Sequence, residues 1–250
     1  MKFDNVVIYF LSGTGNSYRI AKIAADRLAE KGSGAVACRN IEDGPIDISN
    51  DERVLVGFVM PTHAFTAPWL MIKFVCRLPR VKNAAAFCIT TRAGLKIGNI
   101  FTPGMSASAN FVIAGILAVR GYKVQGIQAI DMPSNWLALH PGLSEKSSRA
   151  IIGRAREKVI KFIDILLEGR KYWISSNFFY DLICTFFLFP VSVLYLMFGR
   201  FFLAKLNFAN YKCNSCGLCA AVCPVRAIEL RGKAKRPYWK YTCEGCMRCM

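Results

Sequence analysis

The chain holds 250 residues, 54% of them hydrophobic and 12% aromatic, with 33 lysines and arginines against 16 aspartates and glutamates for a formal charge of +17. That length and apolar content exclude a disordered or fibrous chain and suffice for one full domain with a smaller one beside it. The basic balance suits an anionic membrane surface, an acidic protein or a nucleic acid, and by itself does not choose among them.

The first apolar run, 6–11, is shorter than the apolar region of a secretory signal, so a reducing cytoplasm is expected, with the inner face of the cell membrane as a peripheral location. Strands are predicted at 6–11, 35–39, 54–60, 84–90 and 123–131, and helices at 17–31, 67–77, 106–120 and 144–168. Their alternation implies a five-stranded, mostly parallel, doubly wound α/β sheet with helices on both faces. The strand Val6-Val7-Ile8-Tyr9-Phe10-Leu11 is apolar without alternation, as a strand covered on both faces should be.

Between the first strand and the first helix lies Ser12-Gly13-Thr14-Gly15-Asn16-Ser17. Backbone N–H groups and the positive end of a helix dipole favour a phosphate there. The loop has no lysine, so it is not a Walker loop, and Tyr18 replaces the third glycine of a dinucleotide fingerprint. Glycines and hydroxyls that hold a terminal phosphate by neutral donors remain. The bland reading is a turn that caps a helix, with Asn16 or Ser17 as the cap. In a doubly wound sheet the ligand lies beyond the carboxyl ends of the strands at the switch point. The loops expected there are Pro61-Thr62-His63-Ala64-Phe65, continuing to Pro68, and Thr91-Arg92-Ala93-Gly94. Phe65, His63 or Trp69 would stack on or edge a flat ring, and main-chain groups of 90–94 would face its polar end. His63, with an ordinary pKa near neutrality, is a candidate to tune or protonate such a ring; a loop histidine that only bonds its neighbours is the plainer alternative. His140 has no such context.

The helix 144–168 carries apolar residues at helical spacing with basic residues between them. After Gly169-Arg170-Lys171 comes an aromatic-rich segment whose stretch 182–199 contains no charge, although Pro190 interrupts it. It reaches the length of a membrane span. A helical hairpin in the membrane interface, a crossing and a helix pair buried between domains all suit it, the hairpin best.

Seven of the 11 cysteines fall in the tail, and Cys38, Cys76, Cys88 and Cys184 read as ordinary buried thiols. Cys213, Cys216, Cys219 and Cys223, the last followed by Pro224, have the spacing of a bacterial ferredoxin cluster run, and Cys243, Cys246 and Cys249 form a second run. Paired C-x2-C units also make zinc sites. A third cysteine in each run and the Cys-Pro ending argue against zinc. Ligation is expected to cross, with Cys223 joining Cys243, Cys246 and Cys249 on one [4Fe–4S] cluster. The other cluster has Cys213, Cys216 and Cys219, and its fourth ligand falls by spacing beyond Met250: a chain that stops short of its native end is the favoured reading, with a three-iron cluster or a non-cysteine ligand as the alternatives.

Taken together, these motifs resemble the flavodoxin-ferredoxin fusion proteins of anaerobic prokaryotes. The resemblance implies a flavodoxin-like FMN-binding domain (1–170), an apolar helical linker or membrane-interface segment (171–209) and a small bacterial-type ferredoxin domain (210–250). It implies FMN held by Ser12 to Ser17, Pro61 to Phe65 and Thr91 to Gly94, with 132–136 nearby, and two [4Fe–4S] clusters. An iron-sulfur flavoprotein is then expected, an oxidoreductase that links a one-electron ferredoxin-type donor to an acceptor reduced by the flavin. No catalytic acid, base or nucleophile is required. Expected partners are a ferredoxin or other acidic redox protein, a small-molecule or quinone acceptor and an anionic membrane surface. Nucleic acid is not among them, because no basic run lies on a binding module. A non-catalytic electron carrier or redox-sensing module of a larger complex is the alternative.

Overall fold

A computed structural model describes residues 3–47, 53–82, 84–135, 142–174 and 178–250. Trp136 and His140 lie outside the described residues.

Five parallel strands form the sheet: β1 (Asn5–Phe10), β2 (Ala35–Asn40), β3 (Val54–Pro61), β4 (Ala85–Ile97) and β6 (Lys123–Pro133), in the order β2-β1-β3-β4-β6. That is the strand order of a flavodoxin-like doubly wound fold. Neighbouring side chains of β1 leave on opposite faces. Val7 and Tyr9 enter one core beneath α2 (Trp69–Arg77) and α3 (Ala109–Val119), whereas Val6 and Ile8 enter the other beneath α1 (Asn16–Glu30) and α4 (Glu145–Leu167). The bidentate pair of Arg27 with Asp164, at 2.8 and 2.7 Å, ties α1 to α4.

Three expectations change. The sheet has a sixth strand, β5 (Ile100–Thr102), which runs antiparallel to the end of β4. Segment 91–94, expected as a loop, is strand, because β4 runs on past Thr90 and stays in register with β6 from Thr91 against Ile130 to Gly94 against Pro133. The apolar segment is not a hairpin. It forms α5 (Phe178–Leu194), continued by a π turn at Tyr195–Gly199 and further helical turns to Leu206, with Pro190 inside. Nor are all four scattered thiols buried: Cys88 is, Cys38 and Cys184 are half-buried, and Cys76 is exposed.

The tail folds around a short helical turn at Leu218–Ala221 and a hairpin of β7 (Ile228–Arg231) with β8 (Arg236–Trp239). Its core is small. Ala204, Ile228 and Trp239 are buried, with Cys219, Cys223, Cys243 and Cys249 packed against them.

Candidate functional site

The carboxyl ends of β1, β3, β4 and β6 open into a cavity of about 530 Å³. All the residues predicted for the three flavin segments line it except Gly15 and Gly94.

The first loop leads into the 15-residue helix α1. Gly15 takes φ 96°, a left-handed conformation that glycine adopts without strain, and its N–H donates to Ser12 Oγ at 3.1 Å. No side chain caps the helix, so its next N–H groups remain directed at the loop. Asn16 does not cap; its Nδ2 donates to the Pro133 carbonyl at 2.8 Å, and Ser17 Oγ meets Thr91 Oγ1 at 3.0 Å. Asn135 donates to Thr14 Oγ1. The 132–135 segment thus holds the outer side of the loop.

The second loop is a tight turn closed by His63 N–H to Thr66 O at 2.9 Å and Thr66 N–H to His63 O at 3.0 Å. Ala64 and Phe65 sit at φ 43° and 66°, an unfavourable region for residues with a Cβ. Neighbours hold the turn from two sides. Ser192 Oγ of α5 donates to the Ala64 carbonyl at 3.1 Å, while Ser108 donates to the Phe65 carbonyl through its N–H and Oγ. The His63 ring is partly open to the cavity, but its Nδ1 is sealed without a partner, and burial lowers its pKa to about 4. His63 is therefore neutral at neutral pH. Trp69 does not line the cavity; the Arg200 guanidinium covers its ring at 4.5 Å.

On the third segment, Arg92 is fully buried. Its Nε donates to Asp131 at 2.7 Å, its Nη1 to Asp181 of α5 at 3.2 Å, and its guanidinium stands 5.6 Å from the centre of the Tyr180 ring. Asp131 also accepts from the Gly104 N–H at 2.9 Å and from Lys158 at 3.3 Å, and Asp181 from Ser106 Oγ at 2.7 Å. Burial raises the Asp181 pKa, against the opposing pull of Arg92 and Ser106. Tyr180 and the 102–105 segment complete this wall.

The cysteine tail closes the cavity. Gly245, Cys246 and Met247 line it together with the first loop. A Cβ added to Gly13 would stand 1.6 Å from the Cys246 carbonyl oxygen, so only glycine permits this approach. Arg248 fastens the contact, donating to the Ser12 carbonyl at 2.9 Å and to both carboxylate oxygens of Glu42 at 2.6 and 2.9 Å. Tyr180, Gly245, Met247 and Arg248 carried no sequence signal for this site, because their place in it depends wholly on long-range packing.

Among the described residues, no three His, Cys, Asp or Glu side chains gather tightly enough to hold a single metal ion. Thiols of both runs nevertheless lie within electrostatic reach of one another, Cys249 acting on Cys219 as well as on Cys243 and Cys246. Burial pushes the Cys243 thiol up to about 11, with the Cys246, Cys249 and Cys223 thiols adding to the rise. Burial also raises the pKa of Cys246, to which Cys249 and Cys223 contribute. The Ala227 N–H donates to Cys223 Sγ at 3.2 Å and the Gly245 N–H to Cys243 Sγ at 3.4 Å. Thiols with N–H donors to sulfur, as at Cys223 and Cys243, are the donor chemistry that a thiolate-held iron-sulfur cluster uses.

Residues 209–229 match the sequence family described as the 4Fe-4S binding domain. No curated protein sequence matches the chain. Solved structures similar to it include a flavodoxin of Streptococcus pneumoniae TIGR4, with 16% identity and a TM-score of 0.45 over 66% of this chain and 99% of that one. Oxidised flavodoxin 2 of Bacillus cereus has 15% identity and a TM-score of 0.41 over 66% and 99%. Two-electron reduced Megasphaera elsdenii flavodoxin has 17% identity and a TM-score of 0.35 over 61% and 98%. The assignment of the fold rests on the strand order, and residues 209–229 carry a 4Fe-4S binding motif.

Proposed function

We propose that this chain is an iron-sulfur flavoprotein that passes electrons between [4Fe–4S] clusters and a bound FMN, linking a one-electron ferredoxin-type donor to an acceptor reduced at the flavin. One observation carries the reading: the Cys246 ligand loop and the glycine-hydroxyl loop at the head of α1 line the same cavity. When bound, the clusters would supply one-electron and the flavin one- or two-electron exchange.

The protein's own part is binding and placement. Ser12, Thr14, Ser17 and the first N–H groups of α1 would hold the phosphate by neutral donors, as the lack of a lysine requires. The 63–66 turn and the 91–93 strand would flank the ring, with Phe65 and neutral His63 as its apolar and polar edges. Cys223, Cys243, Cys246 and Cys249 would hold the cluster next to the flavin, and Cys213, Cys216 and Cys219 the outer one. Arg248 keeps the near cluster loop against the phosphate loop. The +17 charge favours an acidic donor protein.

Anaerobic reconstitution followed by flavin, iron and sulfide analysis tests the composition. In a rapid-mixing experiment with a reduced ferredoxin as the only donor, flavin absorbance should fall after the cluster signal, and more slowly in Cys246→Ser. A flavin that stays oxidised over seconds refutes the route. Sustained turnover with a small-molecule or quinone acceptor identifies an oxidoreductase, and reduction without turnover an electron carrier.

A further inference from the structure

The helix that begins at Phe178 and continues to Leu206 is 29 residues long, has a mean hydropathy of 2.2 in its most apolar stretch, and is 6% buried there. Its polarity is reversed relative to a helix on the surface of a water-soluble protein. Within α5 only Asp181 and Ser192 are buried, and both are spent on the α/β unit: Asp181 on Arg92 and Ser106, Ser192 on the Ala64 carbonyl. Phe178 and Tyr180 face the α/β unit, but six further phenylalanines point away, with Phe186 79%, Phe187 71% and Phe202 63% exposed. A continuous apolar face of this kind marks a surface that something covers.

The inward contacts also fix how the helix lies. Asp181 and Ser192 are three helical turns apart, about 16 Å along the axis at 1.5 Å per residue, and each bonds a residue that lines the same cavity, Arg92 and Ala64. The axis therefore runs along the α/β unit and does not stand away from it, as a crossing would require. Charge identifies the occupant. Between positions 170 and 212 the one acidic residue is Asp181, which is buried and paired, whereas Arg170, Lys171, Arg200, Lys205 and Lys212 bracket the apolar stretch. A second copy would set +17 against +17. An anionic lipid surface offers both an apolar layer for the phenylalanines and negative charge for the lysines and arginines.

We propose that the helix Phe178–Leu206 is an interfacial membrane seat, lying in the headgroup region of an anionic bilayer with its Phe186-Phe187 face in the acyl boundary. Tyr180, which lines the cavity, sits between the exposed Phe179 and Leu182, so the seat brings one wall of the cavity to the lipid surface. This inference is independent of the electron-transfer reading, since the surface exists whether or not the cavity holds a flavin.

The test is flotation of the full chain with vesicles of phosphatidylcholine alone and of phosphatidylcholine mixed with phosphatidylglycerol. The chain should float with the mixed vesicles, release as salt is raised, and bind at least about tenfold more weakly as Phe186→Glu/Phe187→Glu, since two large apolar groups leave the acyl boundary. Those two rings pack edge-on against each other and are largely exposed, and an unchanged thermal melt of the variant separates lost binding from lost folding. The milder Phe186→Ser should weaken binding less. No flotation with the mixed vesicles, equal flotation of wild type and double variant, or a concentration-dependent dimer by light scattering that the double variant abolishes would each overturn the proposal, the last by showing that a second copy covers the face.

Discussion

At the scale of single residues, Gly13 and His63 carry separable consequences. Gly13 was legible as part of a glycine-hydroxyl loop between strand and helix, but its closest neighbour, the Cys246 carbonyl, lies 233 positions later in the chain, and no local pattern announces that meeting. Gly13→Ala forces the two backbones apart by more than an ångström. Hydrogen exchange should then quicken at 243–250 while α1 and β1 keep their protection; unchanged exchange in the tail would show that the contact contributes nothing to docking. For His63, the pKa in the fold is about 4 against an ordinary 6.5. The unfolded chain binds the proton first, so stability is complete above pH 6.5 and is lost as pH falls toward 4. At pH 5 the loss is at most about 2 kcal/mol, because part of the ring is open to solvent. The melting temperature of wild type should fall by up to about 8 °C more between pH 7 and pH 5 than that of His63→Gln. Equal falls would mean that the ring protonates in place.

At the scale of elements, apolar runs and helical spacing made β1, β2, β3, β6 and helices α1 to α4 readable to within two or three residues. They failed at β4 and α5 for opposite reasons. β4 continues through Arg92, a residue that ends a strand prediction because its charge needs compensation, and that compensation comes from Asp131 and Asp181, which no local window contains. α5 contains Pro190, which ends most helices. The helix survives it because Asp181 on the near side and Ser192 on the far side are both fixed to the α/β unit. The Arg92 group is thus the joint between β4, β6 and α5. Arg92→Met leaves two largely buried carboxylates facing each other, with Lys158 as the remaining cation, and should cost about 3–5 kcal/mol. Adding Asp181→Asn removes one uncompensated charge and should restore part of that loss. Denaturant titration of the single and double variants measures the coupling, and a loss under about 1 kcal/mol for Arg92→Met would mean that water already reaches the pair.

At the scale of the whole molecule, two parts of unequal means share one cavity. The α/β unit rests on two large cores, one on each face of its sheet. The tail from 210 onward buries Ile228 and Trp239 with Ala204 and little else that is apolar, and its thiols fill the remaining core positions. A unit of that size does not stabilise itself by hydrophobic burial, and metal ligation is one of the ways in which such units fold. Cysteine spacing made its chemistry the most legible feature of the sequence, whereas its docking was invisible, since Gly245 to Arg248 carry no signature of what they touch. Stripping iron from the reconstituted chain with a chelator under anaerobic conditions should therefore divide the molecule. Amide protection should vanish across 210–250, and Arg248 should release Ser12 and Glu42, exposing the side of the cavity lined by the first loop. Protection of the sheet and of α1 to α4 should persist, with far-UV ellipticity falling by the small share that the tail contributes. Retained protection in 228–239 after complete iron loss would show that the hairpin and Trp239 hold the tail without a cluster, and a simultaneous loss across the sheet would show that the two parts fold as one unit.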